Sequence, residues 1–357
     1  MNISYRSLLI LYCINQIKCE RSIYGIYHIL TGKKSSQTIV DANLYRLSQL
    51  FSVLRRLSRQ EMQASVDELF THKLIIEIEK DKYELTTTGS VLLNQQLKEQ
   101  LIPEKLDGWK YYDVGVVFWK RLSLIVQTVS NLLYEKKDFT TIQQDDDVLR
   151  WVKTYLLTKS KRISKSEISK RLYQELVTCL GNLSEKEATV FVLRLSGIDR
   201  IGLTSKQIAT MLKEEEIRVQ LLFLSVVHSI LFEIESDNQK FPLLYEISSI
   251  SGGTSPLTDS TRRTYQLILQ GKSIDDIARI RKLKRNTIED HIVEIVHNMD
   301  TFDISSFVSH EHQKEIEDTY QLTKTMRLKT IKEAVGADIS YFEIRLILAK
   351  SGGKYES

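Results

Sequence analysis

Between Arg279 and Arg285 the chain places five basic side chains in seven residues, with no acid among them: Arg279, Arg281, Lys282, Lys284 and Arg285. The chemistry open to such a cluster is charge-assisted hydrogen bonding to phosphate. Asn286 and Thr287 follow directly. Short polar residues of this kind favour a helix start, and an Asn amide matches the hydrogen-bonding edge of adenine. A helix beginning here adds its unpaired backbone amides and the positive end of its dipole to the same field. The residues Arg279, Arg281, Lys282, Lys284, Arg285, Asn286 and Thr287 are therefore the candidate DNA contacts.

The elements that must position them are legible in the apolar pattern. Ser273–Met299 reads as two short helices joined by a tight turn. Ile274, Ile277 and Ala278 form the inner face of the first helix, and Leu283 fills the turn. Ile288, Ile292, Ile295 and Met299 form one stripe of the second helix, at spacings of four, three and four. This is the pattern of a helix-turn-helix, whose second helix can enter the DNA major groove. At about 100° per residue, Asn286, Asp290, Val293 and His297 lie opposite that stripe. Asp290, with Glu289 and Glu294 beside it, weakens phosphate contact there. The expectation is a positioning contact with DNA rather than tight base reading. A helix-turn-helix used only for packing or protein contact stays open.

More helices surround this pair. Thr258 caps a helix that Gly271 ends. Asp303 and Ser309 read as caps of two further helices. Arg327–Gly336 and Ile339–Ala349, the latter capped by Ser340, read as the last two. Lys324, Arg327, Lys329, Lys332 and Arg345 make a second basic set. The small, polar, Gly-rich stretch 248–256 reads as a linker, leaving 257–350 as a C-terminal domain.

Two regions precede the linker. Residues 109–247 read as helical throughout. Their aromatic cluster of Trp109, Tyr111, Tyr112, Phe118 and Trp119 sits among Val and Leu at helical spacing, which favours core packing over base stacking. Lys159, Lys161, Arg162 and Lys165 read as a solvated helix end. The segment from Thr204 repeats the spacing seen at Ser273, but its turn runs Lys213-Glu-Glu-Glu-Ile. Three carboxylates repel phosphate, so this copy is expected to act as scaffold or in protein contact. Residues 1–100 contain a helix at Ser58–Phe70 with Met62, Val66, Leu69 and Phe70 on one face. An alternating hairpin and the sequence Tyr83-x-Leu-Thr-x-x-Gly89 follow. This order resembles a winged-helix domain. The acids Glu77, Glu79, Asp81 and Glu84 on the hairpin favour protein contact over nucleic-acid contact. The expected fold class is thus mostly α, with a winged-helix-like start, a helical middle and a C-terminal helix-turn-helix domain.

Composition narrows the function. The chain has 357 residues, 50 basic and 46 acidic, for a net charge of +4. A dedicated nonspecific DNA coat is more basic, so any DNA contact must be local. There is no run of 18 or more apolar residues, so no membrane span is expected. Residues 1–20 read as a core helix, not a signal peptide. Three cysteines without metal or redox spacing fit a reducing cytoplasm. Thr31-Gly-Lys-Lys-Ser35 lacks the spacing of a phosphate loop, and no helicase motor motif is present. His291, His297, His310 and His312 have no helical H-x-x-x-H spacing or cysteine partner for a metal. A non-enzymatic protein without cofactor is expected.

Four ordered segments carry a resemblance: Gly271–Ala278 (GKSIDDIA), Arg281–Ile292 (RKLKRNTIEDHI), Leu328–Gly336 (LKTIKEAVG) and Ile339–Ala349 (ISYFEIRLILA). Together they resemble the helicase-associated helix-turn-helix domain, over Pro256–Lys350. That domain ends some RecQ-type DNA helicases. It also ends the separate YpbB-type proteins of low-GC Gram-positive bacteria, whose long helical N-terminal part the arrangement of this chain resembles. The resemblance implies a cytoplasmic, nucleoid-associated accessory of a RecQ-type helicase in DNA repair or recombination. A transcription regulator that binds an operator and a purely protein-binding adaptor are the alternatives.

Overall fold

Leu is the commonest residue of this chain, and it holds only three prolines. Such a composition favours helices over strands. A computed structural model describes residues 3–136, 138–248, 257–299, 301–323 and 328–351. Among the described residues there are nineteen α-helices and one two-stranded hairpin.

The N-terminal segment carries α1 (Tyr5–Ile17), α2 (Ile23–Thr31), α3 (Ser36–Leu44), α4 (Arg59–Thr71), β1 (Ile75–Glu79), β2 (Lys82–Leu85) and α5 (Thr87–Lys98). α1 is buried along its length, as a core helix. In α4, Met62, Val66 and Leu69 are buried, but Phe70 is exposed. The stripe at spacings of four and three turns Phe70 off the inner face. The strands pair antiparallel, with Ile75 opposite Leu85 and Glu77 opposite Tyr83. The Leu-Thr-x-x-Gly sequence has a structural cause. The Thr86 hydroxyl donates to Lys73 O at 2.8 Å and accepts from the Gly89 N–H at 3.0 Å, tying the hairpin root to the start of α5. A Cβ at Gly89 would lie 2.1 Å from Leu74 O, so only glycine fits.

The middle segment carries α6 (Gly108–Tyr111), α7 (Val114–Leu133), α8 (Asp146–Ser160), α9 (Lys165–Leu180), α10 (Glu185–Leu193), α11 (Ser205–Leu212), α12 (Glu216–Ser236) and α13 (Pro242–Ser248). The C-terminal segment carries α14 (Asp259–Leu269), α15 (Ile274–Arg281), α16 (Arg285–Asn298), α17 (His310–Thr323), α18 (Leu328–Ala334) and α19 (Tyr341–Ser351). Apart from Ser248, the expected linker lies outside the described residues.

Contacts sort the chain into two compact units. The first comprises Met1–Ile10, Ser65–Leu69 and Ser90–Thr254; the second comprises Leu11–Ala64, Phe70–Gly89 and Ser255–Ser357. The first unit is built around Phe118, Phe191, Ile208, Val219, Val226 and Ile230. Of the expected aromatic cluster, Tyr111, Phe118 and Trp119 join this core, where Trp119 packs edge-on against Phe191 and Phe223. The Glu175 carboxylate is buried and accepts the N–H groups of Leu243 (3.1 Å) and Leu244 (2.9 Å), which open α13. By length and composition α12 is apolar enough to cross a membrane, although no uninterrupted apolar run marks it in the sequence. In the first unit it is a core helix, with Val226, Ile230 and Ile234 fully enclosed.

The acidic copy of the helix-turn-helix sits in this first unit and repeats the later one in backbone detail. Thr204 caps α11 through a capping box with Gln207. Lys213, which ends α11, and Lys282, which ends α15, share the same left-handed conformation, φ 54° and ψ 42°. Glu214 N–H then donates to Ala209 O at 2.9 Å, as Leu283 N–H donates to Ala278 O at 3.0 Å. The acids of this copy are engaged internally. Glu214 pairs with Lys186 and Arg218, and Glu215 accepts the Tyr5 N–H at 2.7 Å.

In the second unit α14, α15 and α16 pack together, with α19 and α3 closing over α16. Its core joins Ile277, Ile288, Ile292, Val293, Val296, Ile331, Ile344 and Ile347 with Val40 of α3. Ser309 caps α17, and Ser340 forms a capping box with Glu343 at α19. No helix follows Asp303. Its carboxylate accepts from the Ser305 N–H and hydroxyl at 2.9 and 2.7 Å, which holds a turn instead.

Candidate nucleic-acid interface

The helix-turn-helix forms over the expected residues. Ser273 caps α15, accepting from the Asp276 N–H, and Asp275 and Asp276 suit the positive end of its dipole. Leu283 fills the turn and packs on the core. At α16 the N-cap is Lys284, in extended conformation, with no side-chain hydrogen bond onto the first turn. The opening amides of α16 therefore lack a side-chain cap beside a cluster of cations.

The seven candidate contacts divide into two groups. Lys282, Lys284, Arg285 and Asn286 are exposed at the turn and first turn of α16, and Thr287 is half-buried beside them. Arg285 is shared with two acids, Asp275 at 2.5 Å and Glu289 at 3.1 Å, which hold its pKa above the ordinary value, chiefly through the Asp275 hydrogen bond. Arg279 is also exposed and pairs with Asp276 at 3.3 Å. Exposed pairs of this kind are weak and exchange readily. Arg281 differs. Its guanidinium donates to Ser260 O (2.7 Å), Ser260 Oγ (2.9 Å) and Thr264 Oγ1 (2.5 Å). The buried Thr264 hydroxyl lies 2.9 Å from His291 Nδ1, which Arg281 also approaches at 3.3 Å. Because Arg only donates, Nδ1 is an acceptor here and the imidazole is neutral. Burial, then the Arg281 charge, lowers the His291 pKa to about 4. The donors of Arg281 are thus turned toward α14.

The outward face of α16 is where structure and sequence pattern part. Of Asn286, Asp290, Val293 and His297, only Asn286 is exposed. Val293 is buried, at 3% exposure, against the core that includes Val40. Asp290 is held by Arg345 of α19 at 2.5 Å. His297 lines an apolar cleft with Val40, Asn43, Leu44, Val293 and Leu348. Beyond its first turn the helix is covered on every side, so it has no free face to lay in a groove. The adjoining apolar pairs Ile292-Val293 and Ile295-Val296 carried that signal, since one stripe needs only the first of each.

Glu289 and Glu294, expected with Asp290 to weaken phosphate contact, are likewise absorbed. Glu294 is buried and accepts the Thr258 N–H and the Thr261 hydroxyl, both at 2.6 Å, fixing the start of α14. Burial raises its pKa. Glu289 bridges Arg285 and Arg345. In the second basic set, Arg345 is spent on Asp290, Lys332 donates to Gly336 O and Ala337 O, and Lys329 pairs with Glu333. Lys324 and Arg327 lie outside the described residues. The histidines do not converge: His291 is in the Arg281 network, while His312 lies between Glu343 (2.8 Å) and Asp338 (3.0 Å). Gly32 of the Thr31–Ser35 segment ends α2 and Ser35 caps α3, so the segment joins two helices and is no strand-to-helix phosphate loop.

Fold and site together define a protein of the helix-turn-helix class, and residues 260–348 match the family described as "Helix-turn-helix domain". That class is associated with DNA binding. Over all 357 residues the chain is 36% identical to Protein YpbB of Bacillus subtilis (strain 168), covering 100% of both chains. The chain belongs to the YpbB family. No solved structure matches it.

Proposed function

We propose that this protein is a non-enzymatic DNA-binding accessory of a RecQ-type helicase, acting in DNA repair or recombination within the nucleoid of the cytoplasm. The observation that carries the DNA contact is the group Lys282, Lys284, Arg285 and Asn286, exposed at the open N-terminus of α16. Its cations face phosphates, while the amides of α16 add the helix-terminus field. The buried remainder of α16 supports recognition of the backbone over recognition of sequence. The helicase partnership rests on the likeness of residues 256–350 to the helicase-associated domain.

The test uses the full chain with duplex, forked and single-stranded DNA across a salt series. Each lost phosphate contact lowers the salt slope by roughly 0.9 on duplex DNA. Replacing Lys282 and Lys284 by alanine is therefore expected to flatten the slope by about 2, with indifference to sequence retained. A RecQ-type helicase is expected to co-purify with the tagged chain. An unchanged slope refutes the contact; a footprint at one defined operator selects a transcription regulator. Helicase capture without DNA binding selects a protein adaptor.

A further inference from the structure

Charge is nearly balanced over the whole chain, yet residues 21–59 hold seven Lys or Arg and one acid, Asp41. That acid is already occupied. Arg21 Nε lies 3.0 Å from its carboxylate, and Gln37 donates to it at 2.7 Å. The segment is left with a surplus of six positive charges. Lys33, Lys34, Arg46, Arg55, Arg56 and Arg59 are all exposed.

The fold gathers most of them. Gly32, at φ +76°, ends α2 and turns the chain so that Lys33 Nζ lies 3.4 Å from His28 Nε2. Ser52 N–H donates to Ile29 O and Leu54 N–H to Leu30 O, each at 2.9 Å, so the loop preceding α4 is stitched along the end of α2. This brings Arg55 and Arg56 to that end. The approach is close: a Cβ on Gly32 would lie 2.3 Å from Ser52 Oγ. Arg59, the first residue of α4, places its guanidinium 5.6 Å from the centre of the Tyr24 ring, one turn before His28. Burial, then the charges of Lys33 and Arg59, lowers the His28 pKa, so both cations act on the same imidazole.

We propose that the end of α2, the loop before α4 and the first turn of α4 form a second site for the phosphate backbone of nucleic acid. Lys33, Arg56 and Arg59 supply the charge, and the partly exposed Tyr24 ring offers a face on which an unpaired base stacks. Glu61, the acid in the first turn of α4, accepts from the Ser58 N–H and hydroxyl at 2.9 and 2.8 Å, and the hairpin borders the start of α2, where Asp81 O accepts the Ile23 N–H at 2.9 Å. The site is separate in sequence from Arg279–Asn286 and does not depend on contact there.

The test is binding of the full chain to single-stranded and duplex DNA across a salt series. Three variants are compared: K33Q/R56Q/R59Q, the charge-conserving K33R/R56K/R59K, and K282A/K284A. Three phosphate contacts on a single strand correspond to a slope of about 2, at roughly 0.7 each. The glutamine variant is expected to flatten the slope by that amount, while the charge-conserving variant binds as the parent does. Retained slope and affinity in the glutamine variant overturn the site; loss in K282A/K284A in the same assay then leaves the helix-turn-helix reading standing. Equal loss in the glutamine and charge-conserving variants indicates a folding defect and also overturns the charge argument. Loss of binding to phosphatidylglycerol vesicles with unchanged DNA binding overturns the site in favour of a lipid surface.

Discussion

Val293 separates a groove-reading helix from a buried one. On a helix laid in a groove its side chain faces the bases, and its truncation changes DNA contact without touching stability. In this protein it is 3% exposed and packs in the core that also holds Val40. Val293→Ala removes two carbons from that core. At about 0.8 kcal/mol for each buried methylene-sized group, the transfer loss is about 1.6 kcal/mol. A further contribution comes from the space left behind, giving a total of about 2–3 kcal/mol. Val293→Asp adds the burial of an unpaired carboxylate and is expected to prevent the second unit from folding. Asn286→Ala, on the exposed first turn of the same helix, is expected to stay within about 0.5 kcal/mol of the parent. Urea denaturation followed by circular dichroism measures all three. A Val293→Ala chain as stable as the parent, with altered DNA preference, refutes the buried-helix account.

Three other predictions follow the same geometry. Arg281→Ala leaves Ser260, Thr264 and His291 short of a donor and is expected to cost about 1–3 kcal/mol; any loss of DNA affinity then tracks unfolding, whereas K282A/K284A weakens binding at unchanged stability. His228, whose Nδ1 accepts the Asp107 N–H at 3.0 Å, and His291 both have pKa values lowered to about 4, so the folded state resists protonating them. Their contribution to stability is complete above pH 6.5 and is lost as pH falls from there toward about 4; imidazole titration by NMR is expected to show both well below 6.5, with His312 shifted upward by Glu343, and ordinary titration of His228 and His291 contradicts their burial. Gly89→Ala pushes a Cβ to 2.1 Å from Leu74 O and is expected to cost at least about 2 kcal/mol by forcing the hairpin root apart, read as a lower urea midpoint.

Much of the site was legible because it is local. The caps at Thr258 and Ser340, the turn residue Leu283 and the basic cluster all act over a few residues. The covering of α16 was not legible, since a periodic stripe tells which face is inside and is silent on what reaches the other faces. The covering residues Val40 and Arg345 lie far from α16 in sequence. Arg281 looked like its basic neighbours, and only the third dimension turns it onto Ser260 and Thr264. Asp303 failed as a helix cap for a local reason: an Asp side chain that can start a helix can equally hold a turn.

The packing of α3 on α16 also sets an order of events during synthesis. Val40 leaves the ribosome about 250 residues before its neighbour Val293. At roughly 5–20 residues per second, that interval lasts on the order of 10–50 s. Through it Val40 and Leu44 have no α16 or α19 to cover them, and the nascent N-terminus presents an apolar strip to chaperones and to other nascent chains. The second unit closes only once its last helices have emerged, so a premature stop anywhere before α16 strands the beginning of the chain as well as deleting its end.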